Sequence, residues 1–358
     1  MYKLKYLIVF LLLAAMLVGC SQVAAIPAAS AVSAPASSSQ VSTAEAPPST
    51  SAVSVPSPKE EYEFDATIPA PSLAENKISQ KSENQIYVVL PKSYYASDKR
   101  YPVLYILHGY GENCQYIVQM IDRDQMAQTG EFILVGINGS TSQGDGSFYA
   151  DSPVTGNWEK HVTQEVTAYV DANYRTVAKR EARGLAGFSM GGSATVNIGL
   201  AHPDVFSAIY PISPGLFNKD GLKKAMNDWN SYSGFLPAYG AAFSPDSAAN
   251  PPYHIPKFDS TQADDAIVQN WENGFGNLES KTKAYLEKSD QLAAIRIVWG
   301  KNDTYKWIPE GCAYFSELLK KYNIEHDTVV TNGRHSVDYK QLNNDMLPFF
   351  ASKLQMEE

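Results

Sequence analysis

The run Arg183-Gly184-Leu185-Ala186-Gly187-Phe188-Ser189-Met190-Gly191-Gly192 decides how the rest of the chain is read. Its centre, Gly187-Phe188-Ser189-Met190-Gly191, is a G-x-S-x-G pentapeptide, and its flanks supply the context such a motif needs. A β-prone segment leads in, and the stretch from Gly192 through Ala194–Ala201 reads as a helix. A serine on so tight a strand–turn–helix corner is held in strained backbone geometry, with its hydroxyl lifted above the sheet edge. Side chains at 187 or 191 would collide with neighbouring backbone, hence glycine. The Met190 N–H, at the helix start, points to where negative charge develops in an acyl transfer.

Working outward, short apolar runs alternate with helical stretches. Strands are expected at Gln85–Leu90, Val103–Leu107, Phe132–Ile137, Ala182–Ala186, Val205–Ile212, Ile295–Trp299 and Thr328–Thr331. Trp158, Val162, Val166, Tyr169 and Val170 recur at helical spacing, and Val337–Leu354 forms a final amphipathic segment. This alternation predicts an α/β fold: a mostly parallel central sheet with helices on both faces, whose ligands bind at the carboxyl ends of the strands. An aromatic-rich segment interrupts it at about 216–289, including Phe217, Trp229, Phe235, Tyr239, Trp271 and Phe275. Such insertions form lids or binding walls, or simply pack onto the domain.

A serine hydroxyl needs a base, and six histidines compete for the role. His335 follows the last strand, in a loop at its carboxyl end. His326 lies at the opposite edge of the sheet and reads as structural. His161 reads as solvated on its helix, His202 as a cap before Pro203, His254 as part of the insertion, and His108 as a brace for its own loop. Topology favours His335. Asp303, in Gly300-Lys301-Asn302-Asp303 after the Ile295–Trp299 strand, is the expected orienting acid, in the chain order Ser…Asp…His. Asp259, Asp264 and Asp265 read as surface or cap residues, and Glu310 as the start of a helix. The loop Leu107-His108-Gly109-Tyr110-Gly111 supplies a second oxyanion donor, nominated as the Tyr110 N–H beside that of Met190. Trp158, Trp271 and Trp307 are candidate substrate contacts.

The chain has 358 residues, 29 Lys+Arg against 38 Asp+Glu, a formal net charge of −9 and three cysteines. The absence of a basic run beyond the extreme N-terminus argues against a nucleic-acid groove. Three cysteines are too few for a disulfide scaffold or a Cys-built zinc module. Cys114 and Cys312 follow strands that are not expected to be neighbours, so both are read as free thiols. The triad chemistry requires no metal or organic cofactor, and no obligate protein partner is indicated.

The N-terminus reads as an address. Lys3 and Lys5 precede an apolar Leu7–Val18 stretch, too short to span a bilayer. Leu17-Val18-Gly19-Cys20 resembles a bacterial lipobox, which implies cleavage after residue 19 and diacylglyceryl attachment at Cys20. Residues 20–59, mostly Ala, Ser, Pro, Val and Thr, read as a tether between the lipid bilayer and a catalytic domain at 60–358. The expected location is that of an exported bacterial lipoprotein, anchored to a membrane and facing outside the cytoplasm.

Tyr101–Gly109, Tyr169–Arg175, Arg183–Gly192 and the Asp303 and His335 segments together resemble the esterase D group of the α/β-hydrolase fold. That group includes feruloyl and acetylxylan esterases, S-formylglutathione hydrolases, enterochelin-type esterases and mycolyltransferases. Asn197–Leu200 and Tyr210–Ser213 are most similar to the feruloyl esterase branch. The resemblance implies Ser189, Asp303 and His335 as triad, Met190 and the Tyr110 region as oxyanion hole, and feruloyl or acetyl esters of plant cell-wall polysaccharide as substrate. It departs at Arg334, where the family often has glycine before the histidine, and in the length of the insertion. An acyltransferase or a short-chain or siderophore-type esterase would share these residues. A glycan-binding surface lipoprotein would carry the fold without turnover.

Overall fold

Eight strands form one sheet in the order β1-β2-β4-β3-β5-β6-β7-β8: β1 (Glu63–Pro69), β2 (Glu83–Val89), β3 (Val103–Leu107), β4 (Ile133–Ile137), β5 (Arg183–Phe188), β6 (Ala208–Ile212), β7 (Ala294–Gly300) and β8 (Asp327–Thr331). The computed structural model describes residues 61–356 apart from 75, 79–80, 142–145, 220 and 230–233. The leader at 1–19, Cys20 and the tether at 20–59 lie outside the described residues. Strand β2 is antiparallel to β1 and β4, and every pairing from β4 through β8 is parallel. The expected α/β architecture is therefore present.

The sheet is buried on both faces, so its central strands are continuously apolar rather than alternating. Along β3, Val103, Tyr105 and Leu107 enter one core, and Leu104 and Ile106 enter the other. The first core packs against the Met190–Ala201 and Trp307–Lys321 helices. The second is closed by Met126, Leu347, Phe349 and Phe350, from the Arg123–Thr129 and Leu347–Lys353 helices. The helix expected around Trp158 runs through Trp158–Lys160, a π-helical His161–Val166 and Thr167–Asn173.

Several expectations need correction. β1 was not among the expected strands; it is an edge strand whose alternate residues are exposed and which ends in Pro69. β6 begins at Ala208 rather than Val205, because residues 203–205 form a turn after His202. The insertion is built largely of four helices, Gly221–Trp229, Phe235–Phe243, Gln262–Phe275 and Leu278–Leu286. Its rings pack on one another. Tyr239, fully buried, donates from its hydroxyl to the Trp271 carbonyl (2.9 Å) and accepts the Phe275 N–H (2.9 Å). Asp264 is buried rather than superficial, accepting N–H bonds from Lys257 and Asp259 at 2.7 and 3.2 Å.

Candidate active site

The elbow is as tight as its glycines require. Ser189 sits at φ 53°, ψ −111°, a left-handed conformation costly for a residue with a side chain. Its backbone is clamped: the N–H donates to the Ile212 carbonyl at the end of β6 (2.9 Å), and its carbonyl accepts the Ser193 N–H (2.9 Å). A Cβ at Gly187 would strike the Gly191 carbonyl, and one at Gly191 would strike those of Leu107 and His108. The motif thus packs the start of the Met190–Ala201 helix against the end of β3. Met190 is the first residue of that helix, so its N–H has no intrahelical acceptor.

At the carboxyl ends of β7 and β8 two loops are joined by backbone bonds. Lys301 N–H donates to Thr331 O (3.0 Å) and Asn302 N–H to Gly333 O (3.1 Å). This pairing brings Asp303, fully buried, beside His335. Asp303 Oδ2 lies 2.8 Å from His335 Nδ1, and His335 Nε2 lies 2.9 Å from Ser189 Oγ. An ionised carboxylate can only accept, so Nδ1 carries the proton and Nε2 is left to accept from the serine hydroxyl. The second carboxylate oxygen, Oδ1, accepts the Tyr305 N–H at 2.8 Å and fixes the acid's orientation. Phe188 and Tyr305 pack on the imidazole, with ring centroids 4.9 and 5.0 Å away.

Ser189 and His335 open onto a cavity of about 240 Å³, also lined by Gly109, Tyr110, Glu112, Met190, Trp229, Phe235, Phe275, Tyr305 and Trp307. The Tyr110 loop is held from beneath by His108. Its Nε2 accepts the Gly139 N–H (2.8 Å), so Nδ1 donates to the Gly109 carbonyl (2.7 Å). Burial lowers the pKa of His108, which keeps it neutral for this bracing role.

Of the three nominated tryptophans, Trp307 lines this cavity. Trp158 does not: it is fully buried with Ala70 and Leu73, its indole N–H on the Thr155 carbonyl (2.8 Å). Trp271 is fully buried beneath the insertion, its N–H on the His254 carbonyl (3.0 Å). Both are core residues, the usual fate of large rings with an internal acceptor. Trp229, Phe235 and Phe275, which the sequence marks as wall or packing alike, line the cavity, as do Tyr305 and Glu112, which it does not single out. In the insertion, helical spacing marks an apolar face through Leu222, Ala225, Met226 and Trp229 without telling which of its rings reach the cavity.

The other histidines lie elsewhere. His161 is buried rather than solvated, between Glu165 (2.7 Å) and Asn84 (3.1 Å). His202 ends the Met190–Ala201 helix and pairs with Glu159 at 2.7 Å, His254 faces Asp246 at 3.0 Å, and His326 bonds Ser316 at 2.8 Å. Cys114 and Cys312 are buried and unpaired. Among the described residues no group of three or more His, Cys, Asp or Glu is placed to hold a metal ion.

A family model described as "Putative esterase" matches residues 79–357. The chain belongs to that family. Over 121 residues it is 32% identical to an esterase of Mycobacterium tuberculosis, a match covering 30% of this chain and 24% of the relative. Over 136 residues it is 33% identical to an endo-1,4-beta-xylanase/feruloyl esterase of Xylanibacter ruminicola, covering 35% of this chain and 18% of the relative. The chain thus spans about a quarter or less of these relatives. Among solved structures it is similar to the substrate-bound fluorophosphonate-binding serine hydrolase F of Staphylococcus aureus. The TM-score is 0.57 at 18% identity, over 82% of this chain and 98% of that one. For this member of the esterase family, that likeness establishes an α/β-hydrolase-like fold.

Proposed function

We propose that this protein is a serine carboxylester hydrolase working through Ser189, His335 and Asp303. The observation that carries the reading is the unbroken hydrogen-bond chain from Ser189 Oγ through His335 to Asp303, at 2.9 and 2.8 Å. Ser189 Oγ attacks the ester carbonyl as His335 Nε2 takes its proton, and Asp303 stabilises the imidazolium. The N–H groups of Met190 and Tyr110 hold the oxyanion. On collapse, His335 gives the proton to the departing alcohol, leaving an acyl-enzyme. Water, activated by the same imidazole, then releases the acid.

For the substrate we propose feruloyl or acetyl esters of plant cell-wall polysaccharide. The aromatic walls Trp229, Phe235, Phe275 and Trp307 suit a phenolic acyl group, and the partial relative in Xylanibacter ruminicola is named for feruloyl esterase and xylanase activity. A lipid anchor at Cys20 would hold the domain outside the cytoplasm, where such polymers are met; Cys20→Ser should release the protein from membranes. Hydrolysis of methyl ferulate, acetylated xylan and short p-nitrophenyl esters tests the reading. Ser189→Ala should lower kcat by on the order of 10⁶. Survival of more than about one per cent of activity in that variant would remove Ser189 from its role.

A further inference from the structure

One lining residue of the Ser189 cavity is unlike the rest. Glu112 is the single carboxylate among the described lining residues, in a wall otherwise of rings, Met190, Ile308, two glycines, Ser189 and His335. Its Oε2 accepts the Gly109 N–H at 2.7 Å, while its own N–H donates to the Gly109 carbonyl at 3.3 Å. Among the described residues nothing donates to Oε1. Burial raises the Glu112 pKa, opposed by the Gly109 N–H and by attraction to His335. The Glu112 carboxylate thus keeps an acceptor, open to solvent beside the cavity, that a hydroxyl of an entering molecule can meet.

Its position says which part of an ester that would be. Glu112 and Phe188 meet over Gly109: a Cβ built on that glycine would sit 2.9 Å from Glu112 Oε2 and 3.1 Å from Phe188 Cδ1. Phe188 in turn packs on the His335 imidazole, at 4.9 Å between centroids. Glu112 therefore stands on the flank of the group that hands its proton to the leaving alcohol. The apolar rings form their own cluster, with Trp229 at 4.6 Å from Phe235, 5.9 Å from Phe275 and 5.7 Å from Trp307.

We propose that Glu112 is a specificity-determining residue that reads the alcohol half of the ester. Its Oε1 accepts a hydrogen bond from a hydroxyl on the carbon next to the esterified one, as in a sugar unit, and its charge turns away alcohols that bear a carboxylate. The inference rests on the esterase reading of the same site. It adds the substrate class on the leaving-group side: neutral, vicinally hydroxylated alcohols in preference to acidic ones.

The test uses three esters of one acyl group, feruloyl or acetyl according to which is hydrolysed faster: 2-hydroxyethyl, propyl and carboxymethyl. The first two differ by a hydroxyl in place of a methyl group, and the third adds a negative charge. The wild-type enzyme should favour the hydroxyethyl over the propyl ester by about tenfold in kcat/KM, and disfavour the carboxymethyl ester by a similar factor. In Glu112→Gln, which still offers an acceptor to Gly109, the first ratio should fall severalfold and the carboxymethyl-to-propyl ratio should rise by about tenfold. Because each ratio is taken within one protein, general damage to the variant cancels. Ratios unchanged within about twofold between the two proteins would overturn the assignment of Glu112 while leaving the esterase reading standing. Absence of Ser189-dependent turnover of all three esters would overturn that reading, and the inference with it.

Discussion

Asp303 shows how much a buried side chain is constrained by its partners. Both carboxylate oxygens are engaged, one by His335 Nδ1 and the other by the Tyr305 N–H. Asp303→Asn keeps the shape but can present an N–H to His335, favouring the tautomer in which Nε2 carries the proton and no longer accepts from Ser189. On the proposed mechanism kcat should drop about 10⁴-fold. Circular dichroism and the thermal midpoint should show a folded protein, and near-normal turnover in a folded variant would contradict the role. Glu112 illustrates the opposite case. Its nearness to the site follows from a loop that turns back on Gly109, something no pattern of residue types announces.

Among the elements, the insertion supplies three of the rings that line the Ser189 cavity. Its helices bring Trp229, Phe235 and Phe275 to the cavity from three separate segments, each with its ring centroid within 6.3 Å of Tyr239's. Trp229→Ala removes a ring that touches Phe217, Phe235, Phe275 and Trp307. The cavity it leaves should lower stability by about 3–5 kcal/mol, measured by denaturant unfolding. It should also raise KM for methyl ferulate more than for an acetyl ester, since the smaller acyl group asks less of the wall. Equal effects on both substrates would assign Trp229 to packing alone. The Gly, Pro and Asn residues that punctuate this segment mask its helical character, although Leu222, Ala225, Met226 and Trp229 do fall on one helical face.

Across the fold as a unit, one charge is held against the cost of burial. Lys281, on the Leu278–Leu286 helix, is partly buried and donates to Asn197 Oδ1 (2.9 Å) and the Gly274 carbonyl (2.7 Å). Desolvation lowers its pKa from 10.5 to about 7, against the attraction of Glu272 and Glu159. Between about pH 7 and pH 10.5 the unfolded chain therefore keeps a proton that the folded one has lost. The destabilising contribution is full below that window and fades as pH rises through it. Urea midpoints of the wild type relative to Lys281→Met should accordingly improve from about pH 6 to about pH 10. A flat difference would mean that the amine stays charged in the folded state.

Residue order along the chain was enough for the elbow, the Ser…Asp…His candidates, the α/β alternation and the family resemblance. Each of these rests on local signals: glycines at fixed offsets, apolar runs of strand length, loops placed after strands. Packing decided the rest. Whether Trp158, Trp271 and Trp307 were wall or core depended on which segments lay against them, and two of the three proved to be core. Likewise His161 became a buried partner of Glu165, and Asp264 a buried acceptor within the insertion. The reason is physical: period and motif act over a few neighbouring residues. The walls of a cavity are instead assembled from positions more than a hundred residues apart, brought together by burial of surface that the chain order does not reveal.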